Sequence, residues 1–325
     1  MSAAEATQQD RIELGITPWD FSAGMQADRL AQQGERAEAL GIGSFWLPEN
    51  HFSGPGAIPQ PLLWLGAVAA RTRRLRLGTT SYLLPIRNPL QAAEEVAVLD
   101  RLSGGRVILG VGRGFRKALF EAFDVDVSTK RDNFEATLAV MQKAWSGESL
   151  TDGPGPPTRL APLPVQAPHP PIWVAAFGPK ALAQAGRLGL PYLASPMESL
   201  DSLVENYGRH RENLAEHDHD GSDLAVPIMR TVFAHPDPGV VGRVRDALTR
   251  QTLAMAKNAS PALRRAGSTD VEDFALLGEP ARVADAAARY REKLGMTHLI
   301  ARTQLPGAEE TELLEGLEHV AGLFA

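Results

Sequence analysis

Residues 77–114 read LGTTSYLLPIRNPLQAAEEVAVLDRLSGGRVILGVGRG, and this stretch decides the fold. Two apolar runs, 75–79 (LRLGT) and 107–111 (VILGV), flank a segment with helical spacing at 89–102. The runs are apolar throughout rather than alternating, as expected of strands covered on both faces of a parallel sheet. Pro89 stands where a first helical turn needs no amide donor, and Ser103-Gly104-Gly105 turns the chain back. Asp100 and Arg106 flank that turn and are read as an ion pair closing the corner. The stretch is one strand–helix–strand unit.

The same alternation extends in both directions. Strands are expected near 12–16, 44–47, 172–175, 191–194, 226–234 and 298–302. Helices are expected near 26–40, 61–71, 130–145, 179–188, 199–217, 239–257, 280–294 and 309–323. Eight strands with intervening helices in 325 residues predict an α/β fold, a (β/α)8 TIM barrel forming a single domain over 1–325. A doubly wound open sheet would need a dinucleotide fingerprint in the first β–α turn, and TPWDFSAG has none. Two Pro- and Gly-bearing stretches, 146–171 and 258–278, break the rhythm and are read as loop excursions, the first as a partial lid. Residues 1–10 are read as disordered.

Composition narrows the function. Hydrophobic residues make up 44%, enough for a large core. Against 33 Lys+Arg stand 39 Asp+Glu, a net charge of −6, which argues against nucleic acid or an anionic membrane as partner. The absence of cysteine excludes disulfides, thiolate metal sites and cysteine nucleophiles. MSAAEATQQD has no apolar signal core, and no run approaches the roughly 20 apolar residues of a membrane span. A cytoplasmic location is expected.

In a β/α barrel, ligands bind at the C-terminal strand ends. Those ends carry Thr17, Glu49-Asn50-His51, Thr80-Ser81, Gly112-Arg113-Gly114 and Ala176-Phe177-Gly178. An imidazole titrates near neutrality and a neighbouring carboxylate can orient it, so Glu49, Asn50 and His51 suit proton transfer; a hydrogen-bonded loop histidine is the plain alternative. Glycines around Arg113 permit close approach of a flat ligand, or simply a tight turn. Phe115 breaks the GxGxxG fingerprint that Gly110-Val111-Gly112 begins. Arg131 opens a helix, where an unpaired cation is unfavourable unless an anion joins it. Gly178-Pro179-Lys180 offers free amides at another helix start. His217-Asp218-His219-Asp220 is read as a solvated loop, and no metal is expected.

Together these segments resemble the bacterial luciferase-like flavin-dependent monooxygenases. Residues 77–114 carry the resemblance most strongly. WLPENHF (46–52), FEAFDVDVSTKRDNFEATLAVMQKAW (120–145), IWVAAFGPKALAQAGRLGLP (172–191) and the C-terminal VADAAARYREKLGMTHLIARTQLPG extend it. The resemblance implies a barrel that binds reduced FMN, with Arg113 and Arg131 on the flavin phosphate. It implies that Ala176, Phe177 and Gly178 supply the backbone part of that phosphate site and that Thr80-Ser81 is a non-prolyl cis peptide beneath the ring; Thr17, at the end of the first strand, is counted with the cofactor residues from its position. Gly112 falls where the light-producing subunit carries a reactive cysteine, and Asn50 where it carries a histidine, so light emission is not expected. Glu49, Asn50 and His51 are assigned to the reacting face. An apolar mouth of Trp19, Phe21, Trp46, Phe52, Tyr82, Phe115 and Phe177 would exclude water.

The function so implied is an FMN-dependent oxidoreductase, a two-component monooxygenase that uses reduced FMN from a separate flavin reductase and O2 on a small-molecule substrate. Two alternatives stand beside it: an F420-dependent hydride-transfer enzyme on the same barrel, and a non-catalytic flavin-binding protein. A homodimer through helices 61–71 and 89–102 is expected from the family.

Overall fold

The apolar runs become strands and the periodic segments between them become helices. The computed structural model describes residues 11–21, 26–152, 155–257 and 268–324. In chain order the elements are β1 (Glu13–Ile16), α1 (Ala27–Ala39), β2 (Ser44–Leu47), α2 (Pro61–Arg71), β3 (Arg76–Thr79), β4 (Tyr82–Leu83), α3 (Pro89–Ser103) and β5 (Val107–Gly112). There follow α4 (Lys117–Ala122), α5 (Lys130–Trp145), β6 (Ile172–Ala175), α6 (Pro179–Arg187), β7 (Tyr192–Leu193), α7 (Leu200–Glu216) and β8 (Pro227–Ala234). The chain closes with α8 (Pro238–Lys257), α9 (Val271–Phe274), β9 (Ala275–Gly278), α10 (Pro280–Leu294), β10 (His298–Arg302) and α11 (Glu310–Phe324). Proline opens α2, α3 and α6, where no intrahelical amide is lost. The Asn88 amide oxygen accepts from the Leu90 and Gln91 N–H groups at 3.0 and 3.2 Å and so caps α3.

The eight expected strands all form. β4 and β9 are additional. β9 corrects the reading of 258–278 as loop: Ala275–Gly278 pairs in parallel with the end of β8, from Thr231–Ala275 to Ala234–Gly278. Residues 1–10 and 258–267, read from sequence as disordered and as loop, lie outside the described residues.

Internal contacts group the chain into two compact units. The first comprises Phe21–Glu38 and Phe45–Ala175. Its strands run in the order β6-β5-β3-β2, with β4 also beside β5. The pairings of β5 with β3, β4 and β6 are parallel. All of β5 is buried, as a continuous apolar run covered on two faces must be. Trp46 of β2 is fully buried and stacks on Trp173 of β6 at 5.1 Å. That takes it out of the apolar mouth predicted for it, as does the complete burial of Tyr82. A Cβ on Gly78 would stand 2.1 Å from the Trp46 ring, so the glycine is what admits the indole.

Asp100 and Arg106 do not form the predicted ion pair. Each finds neutral partners close by, as buried polar groups must. The Arg106 guanidinium donates to the carbonyls of Ala69, Thr72, Leu75 and Ser103 at 3.0, 3.2, 2.6 and 2.6 Å. The Asp100 carboxylate accepts from the Val165 and Gln166 N–H groups at 2.8 and 2.9 Å. This moors the middle of the 146–171 excursion to α3, so that part of it does not act as a lid.

The second unit comprises Met1–Asp20, Ala39–Ser44 and Ala176–Ala325. Its order is β1-β10-β8-β9, and Ala194, just past β7, bridges Ile228 of β8. The register sets Ile16 beside Ala301 and Arg302 beside Thr231. Arg230, fully buried, donates to the Tyr290 hydroxyl at 2.9 Å and to the carbonyls of Ser195 and Glu198 at 2.9 and 3.0 Å. Beside it, burial pushes the Glu198 carboxyl up, although Tyr192 and Asn206 donate to it at 3.0 and 2.6 Å.

Gly78→Ala is expected to lower stability by about 1–3 kcal/mol, the range for overpacking a core. Gly66→Ala, in helix α2 with no atom within 4 Å of the new methyl, is expected to be neutral or stabilising. Urea denaturation of the two variants measures the contrast.

Candidate active site

Parallel strands bring their C-terminal ends to one edge, so in the first unit the residues just after β2, β3 and β5 gather there. Glu49 follows β2. Its side chain is fully buried, and a buried carboxylate requires partners. Oε1 meets His51 Nε2 at 2.7 Å and the Arg87 guanidinium at 2.8 Å, and Oε2 accepts from the Leu83 N–H at 2.9 Å. The Arg87 guanidinium also lies over the Tyr82 ring, 3.7 Å from its centre. Tyr82 donates to Glu95 at 2.5 Å, and burial holds its phenol well above the ordinary range.

His51 is buried; its ring meets Phe123 edge-on at 5.1 Å, and its carbonyl accepts from Arg116 at 3.1 Å. Glu49 thus orients His51, as the sequence predicts for this pair. Asn50 is differently engaged. Its amide oxygen accepts from Ser53 Oγ at 2.5 Å and from the Ile58 N–H at 3.1 Å, and its backbone bridges Ile58. It builds the loop that carries His51.

After β3, the Thr80–Ser81 peptide is cis. A Cβ on Gly112, at the end of β5, would stand 2.0 Å from Ser81 Oγ and 3.0 Å from Ser81 Cβ. The space a side chain would take at position 112 is therefore filled by Ser81. The Thr80 hydroxyl oxygen is buried and has no hydrogen-bond partner among the described residues.

Arg113 follows. It is 9% exposed and donates to the Ala175 carbonyl, at the end of β6, at 2.8 Å. Its guanidinium lies 5.4 Å from the centre of the Phe134 ring. Burial, then the charge of Arg131, push it down to about 10, while Glu135 acts the other way. Lys130 is likewise lowered, first by burial and then by Arg131 and Arg113. Where β5 ends and α5 begins, the charge of Arg131 thus disfavours that of both Arg113 and Lys130. A bound anion reverses that penalty, and helix α5 adds its amino-terminal dipole. This fits a phosphate-bearing ligand. Sequence reasoning picked out Arg113 and Arg131 and missed Lys130 and Arg87. Lys130 is the immediate neighbour of Arg131, which is the signal that it belongs with it; Arg87 precedes a helix cap and nothing local marks it.

The remaining candidates lie in the second unit. Thr17 is buried; its N–H donates to Ala301 at 2.9 Å, its Oγ1 accepts from the Thr303 N–H at 3.3 Å, and its carbonyl accepts from the Thr303 hydroxyl at 2.6 Å. Ala176 is buried and Phe177 half-buried. Gly178 takes φ +81°, open to glycine, and precedes Pro179 at the start of α6. The His217–Asp220 stretch bonds its own surroundings: His217 the Asn213 carbonyl at 2.9 Å, His219 the Arg187 carbonyl at 3.0 Å, Asp220 the Ser222 N–H at 2.9 Å.

Comparison with known proteins places these features. The luciferase-like monooxygenase family model matches residues 8–298. The oxygenase component of a flavin-dependent trigonelline monooxygenase from Acinetobacter baylyi is 27% identical over 211 residues, 63% of this chain and 59% of that protein. The chain spans less than two thirds of the length of the first curated relatives it matches. Among solved structures, the oxygenating constituent of 3,6-diketocamphane monooxygenase from Pseudomonas putida, in complex with FMN, superposes with a TM-score of 0.80 at 20% identity, covering 97% of this chain and 98% of that one. The coenzyme F420-dependent tetrahydromethanopterin reductase from Methanopyrus kandleri gives 0.73 at 17%, covering 96% and 97%. At these identities the structures share the fold. No helix among the described residues is long and apolar enough to cross a membrane.

Glu49→Ala takes the nearer carboxylate from the Arg87 guanidinium, whose side chain is only 9% exposed, and leaves it Glu95 at 3.6 Å and Gln60 at 3.3 Å. Removing one partner of a buried pair is expected to lower stability by roughly 3–5 kcal/mol, and Glu49→Gln by less. Thermal and urea unfolding of the two variants measure the difference.

Proposed function

The chain belongs to the luciferase-like monooxygenase family, and on that premise we propose that it is the oxygenating component of a two-component FMN-dependent monooxygenase. A separate reductase supplies it with reduced FMN, and its substrate is a small organic molecule. The observation that carries this reading is the convergence of Arg113, Lys130 and Arg131 where β5 ends and α5 begins, three donors of positive charge beside a helix amino terminus that suit a phosphate. The α/β fold, its parallel strand pairs and its likeness to solved family folds support a closed (β/α)8 barrel.

In this reading Arg113 and Arg131 hold the flavin phosphate, and Ala176, Phe177 and Gly178 complete that site with backbone. Thr17, Thr80, Ser81 and Gly112 contact the ring system; the buried Thr80 hydroxyl, without a partner among the described residues, suits a polar edge of the ligand. Reduced flavin, when bound, supplies the electrons that activate O2. The chain's own task is to bind, orient and exclude water. His51, bonded to Glu49 and shielded by Phe123, holds or releases a proton at Nε2, and Asn50 fixes the loop that carries it.

A second reading, an F420-dependent oxidoreductase, is favoured by the likeness to the F420-dependent reductase fold. A non-catalytic flavin carrier is the third; turnover of any substrate removes it. Leu63 on α2 and Leu102 on α3 are 76% and 66% exposed, which supports a homodimer built on those helices.

Fluorescence titration with reduced FMN and with F420 tests the cofactor. Tighter binding of reduced FMN is expected, and the reverse order overturns the leading reading. Arg113→Ala and Arg131→Ala are each expected to weaken FMN by about 1–3 kcal/mol, the range of a charge-assisted bond. Wild-type affinity in both variants removes the phosphate assignment. Leu63→Glu combined with Leu102→Glu is expected to halve the mass measured by light scattering.

A further inference from the structure

A cation stands at the end of β10 with no counter-ion among the described residues. Arg302 is the last residue of that strand and is partly exposed. Among the described residues its side chain makes no hydrogen bond and no ion pair. On the neighbouring strand β8 the register sets Thr231 directly beside it. Paired residues of adjacent parallel strands project to the same face, so the two side chains share a surface. Thr231 is 2% exposed, and its hydroxyl oxygen also lacks a partner among the described residues. Thr17 flanks Arg302 on the other side: Ile16 pairs with Ala301, and the Thr17 N–H donates to the Ala301 carbonyl.

Leaving a guanidinium and a hydroxyl unsatisfied at adjacent register positions costs stability. The contrast with Arg230 is instructive. One residue before Thr231, it is fully buried and saturated by carbonyls and a tyrosine. The same unit can therefore satisfy an arginine completely, and at Arg302 it does not. Burial lowers the Arg302 guanidinium, and no acidic group offsets this.

We propose that Arg302 and Thr231 form an oxyanion site that binds a carboxylate of the substrate. The guanidinium offers a two-pronged donor matched to a planar carboxylate, and the threonine hydroxyl a further donor. Assigning the carboxylate to the substrate of the flavin reaction rests on the function proposed above, in which Thr17, beside Arg302, contacts the cofactor; the anion site itself does not depend on it. A flavin phosphate would satisfy the same chemistry, and the experiment separates the two sources.

The test titrates the full chain, with and without FMN, against benzoate and its neutral counterpart benzyl alcohol by calorimetry. Benzoate is expected to bind wild type, to bind Arg302→Gln about tenfold or more weakly and to bind Thr231→Val severalfold more weakly, while benzyl alcohol distinguishes none of them. Arg302→Lys is expected to keep part of the benzoate affinity. FMN affinity is expected to be unchanged in Arg302→Gln. Absent benzoate binding in wild type, or equal binding in wild type and Arg302→Gln, overturns the proposal; so does weakened FMN binding in Arg302→Gln, which assigns the guanidinium to the cofactor. Because the Arg302 side chain has no partner to lose among the described residues, Arg302→Met is expected to raise Tm by a few degrees, of the order produced by removing an uncompensated charge. A lowered Tm shows a structural role and sinks the idea. Wild type that binds benzoate but not FMN refutes the flavin reading and leaves this site standing.

Discussion

A carboxylate with no exposure to water governs the first unit. Glu49 sits just past the end of β2, and an ion sealed from solvent survives only if donors surround it. The chain meets that demand from three directions: an imidazole two residues on, a guanidinium from the segment before α3, and a backbone N–H of β4. Satisfying the one ion ties the strand-two loop to β4 and the approach to α3. It also fixes the orientation of His51. Positioning of the candidate proton carrier is thus a by-product of burying a charge.

The cations are arranged on the opposite principle. Around Glu49 each charge is matched. Where β5 ends and α5 begins, burial and then the charge of Arg131 disfavour the charged states of both Arg113 and Lys130. In the second unit Arg302 stands without any counter-ion among the described residues, whereas Arg230 on the neighbouring strand β8 is saturated. The matched charges around Glu49 hold structure, and the clustered cations at the end of β5 are where the proposed reading puts an anionic ligand. Small residues have a matching division of labour. Gly78 admits the Trp46 indole into the core, and Gly112 cedes its space to Ser81, which leaves no room there for a thiol.

The strands were legible because burial on two faces demands unbroken apolar runs, and each of the eight expected runs formed one. β9 was hidden because ALLG is short and follows a stretch with turn-forming residues; pairing with the far end of β8 makes it a strand. Arg113 and Arg131 were legible from position, at a strand end and a helix start. The Asp100–Arg106 pair was read from closeness in sequence and is absent because each group finds uncharged donors or acceptors nearer at hand. Trp46 and Tyr82 were assigned to a mouth on residue type alone, and the structure buries both.

Residue order alone determined the alternation of strands and helices, the parallel sense of the sheet and the edge where polar groups collect, since hydrophobic period and helix-end chemistry are local properties. Tertiary structure alone decided which charges meet. Arg87 reaches Glu49, Gln166 reaches Asp100, and Arg302 comes beside Thr231, each across a long span of chain. Those pairings follow from strand register and from the rule that buried polar atoms seek partners in space, and neither is written in the spacing of residues along the chain.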